Sequence, residues 1–72
     1  MSEEITIQTE YIQLGQFLKL ANVIDTGGMV KIFLSEYKVF VNGDAENRRG
    51  KKLYPGDKVE IEEVGSFIVK HD

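Results

Sequence analysis

Apolar and polar residues alternate through Ile5-Thr6-Ile7, which predicts a strand short enough to lie at the edge of a sheet. From Leu14 onward the spacing changes. Leu14, Phe17, Leu18 and Ala21 recur at helical intervals, with Gln16, Lys19 and Asn22 on the opposite face, so a first amphipathic helix is expected. Gly27-Gly28 then breaks the chain, and Val30, Phe33, Leu34 and Tyr37 repeat the stripe with Lys31, Ser35 and Lys38 off it. This predicts a second helix. After Tyr37 the period falls to two: Val39 and Val41 face one way, Lys38 and Phe40 the other, and Asn42-Gly43 supplies a tight turn. Pro55-Gly56-Asp57 marks another turn, Lys58-Val59-Glu60-Ile61-Glu62 alternates strictly, and Gly65-Ser66 permits a last turn before Phe67-Ile68-Val69. The order of strand, two helices and then further strands predicts an α+β fold, with two short helices packed on a small, mostly antiparallel sheet.

A chain of 72 residues has room for one domain, here 1–72, with a small core held by packing alone. Linkers, repeats and low-complexity tracts are missing from the sequence. It contains no cysteine, so neither a disulfide nor a thiolate metal site is available, and its single histidine, His71, cannot build a metal cluster. No metal and no cofactor are expected. His71 lies beside the chain end, where fraying is expected, and receives no catalytic role. The opening MSEEITIQTE is acidic and then alternating, which fits neither a signal peptide nor a membrane span and predicts a cytoplasmic protein with no membrane partner.

A net charge of −3 argues on its face against a polyanionic partner. The distribution alters that picture. Residues 1–30 carry one lysine against four acids, residues 31–58 carry seven basic residues against four acids, and residues 59–72 carry one against four. Within the basic middle, Arg48-Arg49-Gly50-Lys51-Lys52 contains no acid, although Asp44 and Glu46 stand just upstream. Catalysis has less to build on. Asp57, Glu60, Glu62 and Glu63 are carboxylates, but strand periodicity puts Glu60 and Glu62 on a solvated face, and no nucleophile stands paired with a base. A non-catalytic protein without a small-molecule substrate is expected.

Val41-Asn42-Gly43 and Gly56-Asp57-Lys58-Val59-Glu60-Ile61, in this order and spacing, resemble the RNA-binding domain of the ribosomal-protein S-four type, the alpha-L motif, over about residues 13–61. Two positions depart from its usual pattern: Gln13-Leu14-Gly15 replaces Arg-Leu-Asp, and Thr26-Gly27 replaces Ser-Arg. The run from Asn47 to Asp57 looks like the short stand-alone, YaaA-like branch of that family. The resemblance implies a surface that holds structured RNA, ribosomal RNA or tRNA, with ribosomal subunit proteins as further partners and a role in ribosome assembly or translation. The contact face it implies consists of the second helix and the loop after Asn42-Gly43, with Thr26, Gly27, Gly28, Lys31, Asn42, Arg48, Arg49, Lys51 and Lys52 as the RNA-binding residues. Physical chemistry supports several of these assignments. Lys31 lies near the helix start, where unpaired N–H groups at Gly28 and Met29 favour an anion; Arg48 and Arg49 can fork onto phosphates, and Gly50 permits close backbone approach. Few aromatics interleave the basic run, so shape and backbone readout is expected rather than base stacking.

Plainer readings stand beside these. A charge run is ordinarily a solvated loop, Lys31 an ordinary surface lysine, Gly27-Gly28 a break between helices, and Asn42-Gly43 and Gly56-Asp57 turn chemistry. A different class, the ubiquitin-like β-grasp sulfur carrier, shares the Val-Asn-Gly and Gly-Asp signals. Such carriers end in Gly-Gly, whereas this chain closes on Val69-Lys70-His71-Asp72.

Overall fold

Period-two alternation becomes a strand in β1 (Ser2–Ile7), where Ile5 and Ile7 are buried and Glu4 and Thr6 exposed; the computed structural model describes residues 2–72. Next come β2 (Ile12–Gln13), α1 (Leu14–Leu20), a single 3-10 turn (Gly27–Met29) and α2 (Val30–Glu36). The remaining elements are all strands: β3 (Val39–Val41), β4 (Asp44–Ala45), β5 (Lys52–Leu53), β6 (Lys58–Ile61) and β7 (Gly65–His71). The main sheet runs β1-β7-β6-β3-β4, antiparallel except where β1 pairs parallel with β7. It is therefore the expected α+β arrangement of two short helices and a mostly antiparallel sheet, and β1 does lie at an edge. β2 and β5 form a separate antiparallel ribbon with Ile12 opposite Leu53.

The helical stripes do what their spacing predicts, to different depths. α1 buries Leu14, Phe17 and Leu18 completely, and Phe17 meets Phe67 of β7 edge-on at 6.0 Å between ring centroids. α2 is shallower. It buries only Val30, leaves Phe33 and Leu34 half-buried, and stacks Phe33 on Tyr37 one turn later at 4.6 Å. The sheet completes the core with Val39, Val41, Val59, Ile61, Phe67 and Val69.

Two expectations near the end of the chain need correction. The turn after β6 falls at Glu62–Val64 rather than Gly65-Ser66: Glu63 takes a positive φ of 67°, Val64 N–H donates to the Ile61 carbonyl at 3.1 Å, and Gly65 already pairs with Ile61. His71 is not frayed either, because parallel pairing with Ile7 extends β7 to that residue.

The turn signals act together. Asn42 (φ 52°) and Gly43 (φ 89°) both occupy the left-handed region, as the mirrored two-residue hairpin turn requires. The Asn42 side chain then reaches across to the second turn: Oδ1 accepts from Lys58 N–H at 2.9 Å and Nδ2 donates to Asp57 Oδ1 at 3.1 Å. Asp57 Oδ2 accepts from Tyr54 N–H at 2.8 Å, so one amide and one carboxylate tie the β3–β4 turn to the turn before β6. Asn42→Ala removes both bonds and leaves at positive φ a residue that tolerates this conformation less well than asparagine, and should destabilise the fold by about 1–3 kcal/mol. Asn42→Gly also loses both bonds but accepts the positive φ without strain, and should cost less. Urea denaturation midpoints decide the matter; an unchanged midpoint for Asn42→Ala would show that the clasp contributes nothing.

Candidate nucleic-acid interface

Three segments converge on Gly15. The N–H groups of Leu14 and Gly15, at the start of α1, donate to the carbonyls of Lys51 and Arg49 at 2.8 and 2.9 Å. No side chain caps this helix, so the basic loop itself satisfies donors that α1 would otherwise leave unpaired. A β-carbon at Gly15 would lie 3.3 Å from Val30 Cγ1 of α2 and 3.5 Å from Arg49 Cβ, so the absence of a side chain is what lets helix, helix and loop approach. Lys51 N–H closes the loop onto the Arg48 carbonyl at 3.1 Å, forming a β-turn with Arg49 and Gly50 at its tip.

This convergence joins residues far apart in sequence. Lys31 on α2 and Arg49 on the loop line one open cleft of about 380 Å³, together with Leu34, Ser35 and Asn47. Both cations are exposed, and neither forms an ion pair among the described residues.

The other three basic residues have different surroundings. Arg48 turns back on Glu46, with Nε at 2.9 Å from Oε2 and Nη2 at 3.2 Å from Oε1, while its own backbone N–H also donates to Oε2 at 3.0 Å. Those Arg48 hydrogen bonds, the guanidinium charge and the nearby Lys51 lower the Glu46 carboxyl from the ordinary 4.5 to about 2, against an opposing effect of burial. The pairing also raises the Arg48 pKa. Lys51 and Lys52 border a smaller hollow that holds the acids Asp44, Glu46 and Asp57. Lys52 Nζ additionally lies 4.9 Å from the ring centroid of Tyr11. The acid-free run of the sequence is therefore folded among carboxylates, and Arg49 with Lys31 keeps the least compensated positive charge.

Thr26, Gly27 and Gly28 lie at the mouth of α2, all exposed. Met29 N–H is not unpaired as expected, because the 3-10 turn gives it the Thr26 carbonyl at 3.1 Å. Asn42 is engaged in the turn clasp through both side-chain atoms. Among the described residues no cluster of three His, Cys, Asp or Glu could hold a metal ion, and no helix is long and apolar enough to cross a membrane.

Compared with known protein families, residues 5–70 match the S4 domain. The chain belongs to the S4 domain family. It is also 64% identical over 69 residues to the probable ribosome maturation protein RlbA of Bacillus subtilis (strain 168), covering 96% of this chain and 97% of that protein. The S4 assignment bears out the resemblance drawn from Val41-Asn42-Gly43 and Gly56-Asp57 and sets aside the β-grasp alternative. In this S4 domain those signature residues hold two turns together, and the unusual Gly15 is the point where the loop rests on both helices.

Several residues of this face escaped the linear reading. Glu46 was visible as an acid two residues before Arg48, but nothing in spacing alone shows that it would be clasped. Ser35 and Asn47 carry no signal. Tyr11 and Tyr54 border the last lysine of the run, and the fold supplies beside it the aromatic surface that the run itself lacks: their ring centroids are 5.8 Å apart. Their signal was the alternation Lys52-Leu53-Tyr54, which puts Tyr54 on the same side as Lys52 once Leu53 points inward.

The depressed Glu46 pKa has a defined pH signature. A carboxyl whose folded pKa lies below its unfolded value contributes stability above about pH 4.5, and loses it as pH falls through about 2. With the Arg48 side chain 73% exposed, solvent and salt keep that contribution small. Carboxyl-carbon NMR should place the Glu46 midpoint near 2, and Arg48→Gln should return it most of the way to 4.5. A midpoint indifferent to the substitution would remove Arg48 as the cause.

Proposed function

We propose that this S4 domain is a non-catalytic, cytoplasmic RNA-binding protein that recognises structured RNA, ribosomal RNA or tRNA, in ribosome assembly or translation. The observation that carries the proposal is the shared cleft of Lys31 and Arg49, two exposed cations from α2 and the basic loop on a backbone fixed at Gly15. An A-form helix is read through its backbone and groove shape, so two rigidly mounted cations across a groove suit successive phosphates better than a string of charges on a mobile loop. Family membership supports this reading, as does the ribosome-maturation name of the Bacillus subtilis relative.

Within this proposal Lys31 and Arg49 bind phosphate in the cleft, and Lys51 and Lys52 extend the contact along the loop. Thr26, Gly27 and Gly28 border the approach to α2. Gly50 has open space around its missing β-carbon, which leaves room for a partner at the tip of the loop. Arg48 contributes only after leaving Glu46, and Asn42 acts mainly by holding its turn.

Phosphate contacts by Lys31, Arg49, Lys51 and Lys52 imply a log-log salt slope of about −3 to −3.6, so raising salt from roughly 50 to 200 mM should weaken RNA binding about 60- to 150-fold. Replacing Lys31 and Arg49 together by Gln should reduce the slope by about two. The control replaces Lys19 and Lys58, exposed cations outside the cleft, and should change binding much less. Equal binding by both double variants, or affinity insensitive to salt, would refute the cleft as the RNA site. Glu46→Gln, by releasing Arg48, should steepen the slope by about one; an unchanged or shallower slope in the same titration would show that Arg48 makes no phosphate contact when freed.

A further inference from the structure

The ribbon of β2 and β5 has an outer face that the cleft does not use. Leu53 is fully buried and Ile12 packs against the core, so strand alternation turns Lys52 and Tyr54 outward on one strand and Tyr11 and Gln13 on the other. Tyr11 and Tyr54 sit side by side, tilted by 46°, and remain 36% and 44% exposed. Neither phenol oxygen appears in a hydrogen bond among the described residues. Their backbones are nevertheless fixed: the Thr9 hydroxyl donates to the Tyr11 carbonyl at 2.7 Å, and Asp57 holds both Tyr54 N–H and, through its own N–H at 2.9 Å, the Tyr54 carbonyl. The Lys52 ammonium completes the group at 4.9 Å from the Tyr11 ring centroid.

A cross-strand aromatic pair often serves only to steady a short ribbon. Here the rings also present π surface to solvent on a clamped backbone, beside a cation, on the strand that continues directly from Arg49-Gly50-Lys51. Those are the two features a nucleotide needs: a planar face for its base and an ammonium for its phosphate. We propose that Tyr11 and Tyr54 form a stacking platform for an unpaired nucleobase, with Lys52 placed to meet that nucleotide's phosphate. The inference rests on the RNA-binding reading above and extends it, since the preferred ligand becomes a helix flanked by a single-stranded nucleotide rather than a plain duplex. The cleft holds the helical backbone; the platform takes the base next to it.

The test uses tyrosine emission, because the chain has three tyrosines and no tryptophan. In a Tyr37→Phe background only Tyr11 and Tyr54 report. Two RNA hairpins with the same stem are compared, one blunt and one carrying a short single-stranded adenosine extension. The extended hairpin should quench the emission and bind about 5- to 150-fold more tightly, the range for one stacked base. Tyr54→Leu should abolish that advantage while leaving the blunt hairpin's affinity and salt slope in place, and Tyr54→Phe should retain it. Equal affinity for the two hairpins without quenching would overturn the platform while leaving the RNA-binding reading intact, and failure to bind either hairpin at low salt would overturn both. If Tyr54→Leu loses its fold by circular dichroism, the quenching and affinity comparison in the Tyr37→Phe chain still decides.

Discussion

Two backbone hydrogen bonds, from Leu14 and Gly15 to the carbonyls of Lys51 and Arg49, hold the basic loop in register with the rest of the fold. They answer two needs at once. A helix start without a capping side chain must find acceptors elsewhere, and a loop between strands two residues long has little of its own to fix it. Each completes the other. The result is a basic turn whose main chain is anchored while the Arg49 side chain stays unpaired among the described residues, which lowers the ordering cost that a flexible cationic loop would meet on binding. The arrangement also explains why the face includes α2. Val30 packs where a β-carbon on Gly15 would crowd, so Lys31 is delivered beside Arg49 by core packing rather than by any direct contact between the two cations.

An acidic protein can present such a face because charge is sorted in space. Four strand-to-strand steps separate β1, which carries Glu3 and Glu4, from β4, where the basic loop begins, or roughly 19 Å at about 4.8 Å per step. Screening at physiological salt acts over about 8 Å. Those edge acids therefore lower the net charge without cancelling the local field. Glu46 is different, since it lies in the loop and neutralises Arg48 directly, so the distribution of carboxylates within a few ångströms matters more than the total of −3.

Much of the architecture could be read from periodicity, and the reasons for success and failure are physical. Leu14, Phe17 and Leu18 recur at helical intervals because one face of α1 must be buried, and Val59 and Ile61 alternate because β6 has one wet side. Asn42-Gly43 was readable because few residues tolerate the left-handed backbone it adopts. The β2–β5 ribbon was hidden: two residues per strand are too few to show a period, and its identity depends on pairing across some forty positions. The turn after β6 was misplaced because Glu63, a residue with no turn preference to announce it, takes the strained conformation instead of Gly65 beginning the turn. For the candidate face, the basic run was legible as a run, yet the partition of its charges among Glu46, Tyr11 and the cleft is a tertiary fact.

The parallel pairing of β1 with β7 has a consequence for synthesis. Ser2 lies beside Ser66 and Ile7 beside His71, so β1 waits through the synthesis of every other element of the domain for β7 before it can enter the sheet. Until then Ile5 and Ile7 have no place in the core, and the longest strand contact in the molecule is a late event of high contact order. The helices and the β3–β6 pairing can form locally during elongation; the sheet edge cannot. A nascent domain of this kind therefore closes its fold only when β7 has cleared the exit tunnel, and stalling just short of that point would leave an apolar strand exposed to other chains.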